Sequence, residues 1–282
     1  MFIPIEHFVK IGSINTCYWA EGEGTPVVLV HGMGGSAAGW LPSIEALAAE
    51  HRVYAPDLIG HGRTDKPASV VSGFPDLIRF VHDFMTELKI ERAHIVGHSM
   101  GGVIALHLAI DFPTCVDKLV LVDASGLGKE VSFLFRMLSI PFVGEYLASR
   151  AYTPDVKKYG SDVRAGSKNP ANITDELVET LYRIEQTPTQ YKTTLSILRM
   201  GVNWMGQKKS FYGPNLQQLP SITHPTLVIW GLQDDVLPPK HGELAVKKIK
   251  NGQLKMIDQC GHVPMFDQPE VFNKSVLDFL RD

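Results

Sequence analysis

A serine hydroxyl becomes a useful nucleophile near neutral pH when a base stands within hydrogen-bond reach and a carboxylate orients that base. Gly97-His98-Ser99-Met100-Gly101 fits the G-x-S-x-G pattern. An apolar run, Ala93-His94-Ile95-Val96, precedes it, and a helical pattern from Val103 to Ile110 follows. A serine on such a strand-to-helix turn has a strained backbone and an exposed hydroxyl, and glycines at both ends relieve crowding. The blander role for Ser99 is to cap the helix that begins at Met100. Downstream, Asp234 follows the strand-like Thr226-Leu227-Val228-Ile229-Trp230, and His262 follows Gln253-Leu254-Lys255-Met256-Ile257. The order Ser99, Asp234, His262 is nucleophile, acid, base, with room for one helix and one strand between the last two.

Ester chemistry at Ser99 also needs two backbone N–H groups aimed at one point. Met100, next to the serine, supplies one. Met33, in the loop His31-Gly32-Met33-Gly34-Gly35 after the first apolar strand, is expected to supply the other. That loop has a competing reading. Gly32-Met33-Gly34-Gly35-Ser36-Ala37 matches G-x-G-x-x-A, and Asp57 ends the next strand, as in a dinucleotide site. The competing reading leaves Ser99, Asp234 and His262 without a role. Of the eleven histidines, His94 and His98 have the i, i+4 spacing of a metal pair, but on a strand and turn this spacing does not share a face. His31 is expected to bond to backbone and His61, in Gly60-His61-Gly62, to staple a loop. Only His262 follows the candidate acid in a loop after a strand.

The elements that must position these residues alternate in type. Strand-like runs start at Thr25, Arg52, Ala93 and Lys118, with helical patterns from Leu41 to Ala48, Phe74 to Leu88 and Val103 to Ile110 between them. Runs apolar on both faces suit buried parallel strands, so the chain is expected to be α/β with a mostly parallel sheet. From about Gly126 to Thr223 no apolar strand is apparent. Helical stretches over Phe133 to Leu147, Thr174 to Gln186 and Tyr191 to Met200 take over, and strand–helix alternation resumes at Thr226. The expected division is a core of residues 1–125 and 224–282 interrupted by a helical insertion of residues 126–223.

Composition bounds the rest. A chain of 282 residues, 44% hydrophobic and 20% charged, is long enough for one large core with a smaller lid and is not disordered. Its formal net charge of −3 argues against a nucleic-acid binder, and Lys247, Lys248 and Lys250 read as a solvated helix face. No apolar stretch is long enough for a membrane span, and Glu6 and His7 fall where a signal peptide needs its apolar run. Cys17, Cys115 and Cys260 form no C-x-x-C pair or disulfide framework. A cytoplasmic location is expected, and a homodimer is left open.

The chain resembles capped serine hydrolases of the α/β-hydrolase fold. The resemblance lies in Val30 to Gly35, Pro56-Asp57-Leu58-Ile59-Gly60-His61-Gly62, Gly97 to Gly102, Leu119 to Asp123, Trp230 to Asp234, and Gly261-His262 with Pro269. It implies helices on both faces of the sheet, a helical cap, and a Ser99–His262–Asp234 triad with Asp235 as the fallback acid. No metal or organic cofactor is expected. Ser99 separates the chain from haloalkane dehalogenases and epoxide hydrolases, which use aspartate there. Carboxylesterases and lipases are one branch that it is similar to, implying cleavage of small to medium apolar esters. Meta-cleavage product hydrolases, which cut carbon–carbon bonds in vinylogous diketones, are another. These typically carry Asn before the serine, Arg in the cap helix and Trp after the histidine, where this chain has His98, Leu181 (with Arg183 nearby) and Val263. A non-catalytic ligand-binding role is the third reading. Gly32, His98 and Val263 beside the triad, and Phe142 in the insertion, are the expected substrate-binding residues.

Overall fold

Strands buried on both faces need helices over both faces, and the fold follows from that requirement. The computed structural model describes residues 2–67, 73–151, 153, 155–186 and 190–281. The strands are β1 (Glu6–Ile11), β2 (Ile14–Glu21), β3 (Pro26–Val30), β4 (Arg52–Pro56), β5 (Ala93–His98), β6 (Val116–Val122), β7 (Val202–Asn203), β8 (Gly206–Gln207), β9 (Thr226–Gly231) and β10 (Gly252–Ile257). Eight form one sheet in the order β1-β2-β4-β3-β5-β6-β9-β10. Pairing is antiparallel at β1–β2 and β2–β4 and parallel across the rest.

Side chains alternate across the central strands. On one face Val28, Val30, Ile95, Leu119, Leu121 and Trp230 meet α2 (Phe74–Glu87), α3 (Met100–Asp111) and α10 (Lys240–Val246). On the other, Val27, Leu29, Val96, Val120, Val122 and Ile229 meet α1 (Leu41–Ala48) and α12 (Pro269–Arg281); the short α11 (Pro264–Asp267) leads into α12. The β1–β2 hairpin is absent from the sequence reading, which starts the strands at Thr25. Strand β1 is mostly exposed or half-buried, so its alternation is weak.

Between β6 and β9 lie α4 (Phe133–Leu138), α5 (Val143–Ala151), α6 (Val156–Ala165), α7 (Asp175–Glu185), α8 (Gln190–Gly201) and α9 (Lys209–Gln218), with the β7–β8 hairpin between α8 and α9. The single helix expected over Phe133 to Leu147 is two helices. Pro141 lacks an N–H and restricts the residue before it, and Phe142 has φ +67°, which no α-helix tolerates. The inserted helices are anchored to the sheet layers. Leu177, Val178, Leu181 and Ile184 of α7 belong to the same apolar cluster as α1, and Ile197 of α8 joins the opposite one.

Candidate active site

Ser99 stands where β5 turns into α3, with φ 53° and ψ −112°. That geometry is costly for a residue with a Cβ and persists only when its surroundings hold it. Three main-chain hydrogen bonds do so. The Ser99 N–H donates to Val122 O at 2.9 Å, and Ser99 O accepts from Gly102 N at 3.0 Å and Ser125 N at 2.9 Å. Close packing below the turn requires Gly101, because a Cβ there would lie 2.0 Å from Val30 O. Gly32 is as constrained, since its Cβ would lie 2.9 Å from His98 Nδ1 and 3.2 Å from Ser99 Cβ. The Met33 loop therefore lies directly against the serine.

His262 accepts from Ser99 Oγ at Nε2, 3.0 Å, and donates from Nδ1 to Asp234 Oδ2, 2.8 Å. Asp234 Oδ1 accepts from the amides of Val236, 2.7 Å, and Leu237, 3.0 Å. Burial pushes the Asp234 carboxyl up, but the hydrogen bond and charge of His262 and those two amides outweigh it, so the group lies below its ordinary value. A relay of hydroxyl, imidazole and ionised carboxylate results. Asp235, the fallback acid, is exposed and paired with Lys168 instead.

His98 donates from Nε2 to the carbonyl of His262 at 2.7 Å and so fixes the loop that carries the base. Burial, with the nearby His262, pushes His98 down to about 3, so it stays neutral. Its supposed metal partner His94 faces Asp117 and stacks edge-on against His51. His31 donates from Nδ1 to Gly32 O, 2.8 Å, and accepts from Leu58 N at Nε2, 2.9 Å, bracing the glycine loop. His61 bonds to Ile59 O at 3.1 Å. Asp57 is spent as well: it accepts from Ala37 N at 2.7 Å and from Arg63 N and Nε at 2.8 Å, and it is wholly buried. Asp57, the residue a ribose would need, is thus committed to Ala37 and Arg63, which removes the dinucleotide reading. Among the described residues one trio, Asp123, Asp234 and His262, brings possible metal-ligand atoms within 4.8 Å of one another. Both His262 nitrogens are already engaged with Asp234 and Ser99.

Ser99 borders two cavities. The wider, about 290 Å³, is lined by Gly32, Met33, His98, Leu181, Glu185 and Val263 among others, with no Lys or Arg among the described residues of its wall. The tighter, about 40 Å³, is mainly apolar and includes Met33, Met100, Val131, Phe135 and Phe211. Past Met33, Phe135 and Glu185 the wider chamber adjoins a further cavity of about 370 Å³ within the inserted helices. A larger groove, about 750 Å³, between α2 and α9 does not include Ser99. Met100 opens α3, so its N–H is among the first-turn amides with no partner inside the helix. Met33 lines both cavities beside the serine. Phe142 is a correction. It is 88% exposed, borders neither cavity beside Ser99 nor the one within the inserted helices, and is turned outward by the backbone break after Pro141.

Three acidic groups were not singled out in the sequence. Asp123 directly follows β6 beside Asp234, fully buried. Its signal was an acid directly after an apolar strand. Asp267 accepts from Gly261 N at 2.6 Å and from Ser167 Oγ and Lys168 N, tying the insertion to the loop of His262. Glu185 lies one turn beyond Leu181 and two beyond Leu177 on the buried stripe of α7. A carboxylate continuing an apolar stripe was the available clue.

The comparisons agree with this fold. A family model described as alpha/beta hydrolase fold matches residues 25–269. An uncharacterised protein of Mycobacterium tuberculosis is 32% identical, over 95% of this chain and 79% of its own length. A 2-hydroxy-6-oxo-6-(2'-aminophenyl)hexa-2,4-dienoic acid hydrolase of Metapseudomonas resinovorans is 30% identical, over 98% of this chain and 91% of its own. The solved meta-cleavage product hydrolase of Pseudomonas fluorescens IP01 superposes with a TM-score of 0.80 at 27% identity, covering 99% of this chain and 98% of that one. With a family match over most of its length and the strained serine turn at the end of β5, the chain belongs to the α/β-hydrolase fold family.

Proposed function

We propose that the protein is a serine hydrolase that cleaves carboxylic esters with small to medium apolar acyl groups. The observation that carries this reading is the Ser99–His262–Asp234 hydrogen-bond relay bordering a chamber whose wall holds no Lys or Arg among the described residues. In this mechanism His262 takes the Ser99 proton as Oγ attacks the acyl carbonyl. The amides of Met33 and Met100 hold the oxyanion, each donor worth about 3 kcal/mol in the transition state. Asp234 keeps the imidazole tautomer and stabilises its cation. His262 then gives its proton to the leaving alcohol, and a water that it deprotonates attacks the acyl-enzyme, releasing the acid and restoring Ser99.

A second reading, hydrolysis of a carbon–carbon bond in a vinylogous diketone, is favoured by the names of the Metapseudomonas resinovorans and Pseudomonas fluorescens relatives. Against it, an anionic dienoate would find Leu181, His98 and Val263 in the wider chamber, with His98 held neutral. A panel of p-nitrophenyl esters and vinylogous diketones, run with purified protein, separates the two. Ester turnover at least tenfold above diketone turnover in kcat/KM is expected, and the reverse order would replace the ester reading.

A further inference from the structure

We propose that Glu185 makes the wider chamber a recognition site for a hydrogen-bond-donating substrate group, an ammonium or a hydroxyl, and a barrier to a carboxylate. This rests on the reading of Ser99 as nucleophile, because the chamber is defined by its place beside that serine. Glu185 is the last residue of α7, and its side chain reaches the glycine loop from the inserted helices. Oε1 accepts from Ser36 Oγ at 2.8 Å and Oε2 from Tyr159 OH at 3.0 Å. Both donors are neutral, and each oxygen has a second lone pair left. Glu185 also lines both the chamber beside Ser99 and the cavity behind it, so a substrate extending from the serine into the insertion must pass it.

A partly buried carboxylate whose partners among the described residues are two hydroxyls attracts a cation or a further donor and repels an anion. Burial pushes Glu185 up to about 7, against the pull of Ser36 and Tyr159. The site is therefore short of positive charge, which a substrate ammonium would supply. A hydroxyl would use the free lone pairs. A substrate carboxylate would meet a second acid with no Lys or Arg among the described wall residues to separate them.

The test uses two rigid ester series, so that either half of the substrate is probed. One is 4-substituted phenyl butyrates and the other p-nitrophenyl 4-substituted benzoates, each with aminomethyl, hydroxymethyl, methyl and carboxy groups. In at least one series the aminomethyl ester is expected to exceed the carboxy ester at least tenfold in kcat/KM. Glu185→Gln should collapse that ratio at least fivefold, and Tyr159→Phe, which keeps the carboxyl and removes one donor, should raise it. Ratios within each variant cancel any general loss of activity. A ratio unchanged in Glu185→Gln, or a wild-type preference for the carboxy ester, overturns the proposal. A second readout does not depend on turnover: benzylammonium should raise the wild-type Tm more than benzoate does, and Glu185→Gln should abolish the difference. If that difference appears while no ester is cleaved, the recognition site stands and the esterase reading falls. If esters are cleaved without any dependence on Glu185, the esterase reading stands and the recognition site falls.

Discussion

Asp123 and Asp234 lie side by side beneath His262, both buried, and their carboxyls are driven in opposite directions. Asp234 is held ionised by His262 and two amides. Burial pushes Asp123 well above the usual carboxylate range, the charge of Asp234 adds to this, and the hydrogen bond from Gly231 N at 2.9 Å does not offset them. Two acids that share a site separate in this way when one has the better partners. Only Asp234 is then in a state to stabilise an imidazolium. Asp234→Asn should lower kcat by about 10⁴-fold with the fold retained. Asp123→Asn keeps an acceptor for Gly231 N and leaves the Asp234–His262 hydrogen bond in place, so it should cost less than about tenfold. Steady-state kinetics of both variants decide it, and equal losses would show that the relay runs through Asp123 as well.

The serine turn predicts a stability effect. A methyl group at Gly101 would meet the Val30 carbonyl, which is main chain within the central sheet. Gly101→Ala should therefore destabilise by about 3 kcal/mol through overpacking. A urea midpoint indistinguishable from wild type would mean that α3 slides away from the sheet without cost.

Asp267 links the insertion to the base. Removing its carboxyl strands the buried Gly261 amide and releases Ser167 and Lys168 together. Asp267→Ala should cost about 3 kcal/mol, within the range for buried donors left unpaired. It should also lower kcat more than it raises KM, because His262 is adjacent to Gly261. A loss of stability with unchanged kcat would restrict Asp267 to a structural tie.

Glu185 has a pH signature in stability. Its ordinary value is 4.5 and the folded value is about 7, with Ser36, Tyr159, Asp57 and Arg63 as the facing groups. The folded chain binds this proton more tightly than the unfolded chain. Glu185 therefore withdraws stability as pH rises from about 4.5 to about 7, and withdraws no more above that. Glu185→Gln lacks the titrating group, so its Tm relative to wild type should be higher at pH 8 than at pH 5. A difference constant across that interval would show that folding does not raise the Glu185 carboxyl above its ordinary value.

Ser99, Asp234 and His262 were legible in the sequence because each belongs to a short local signal at a strand end. The central parallel strands β3, β5, β6 and β9 were legible for a related reason: largely buried on both faces, they read as apolar runs. Strand β1 faces solvent along much of its length and leaves no such run. The break at Phe142 was hidden because Phe133 to Leu147 is rich in helix-compatible apolar residues, and Pro141 marks the break only to a reader who weighs it above them. Glu185 and Asp267 depend on contacts between segments far apart in the chain, Ser36 with Glu185 and Ser167 with Asp267. Local pattern carries no record of such pairs.

The most direct test of the central claim is labelling with a fluorophosphonate probe followed by peptide mapping. The relay predicts a single labelled residue, Ser99, and no labelling in Ser99→Ala. Label on another residue, or label that persists in Ser99→Ala, would contradict it.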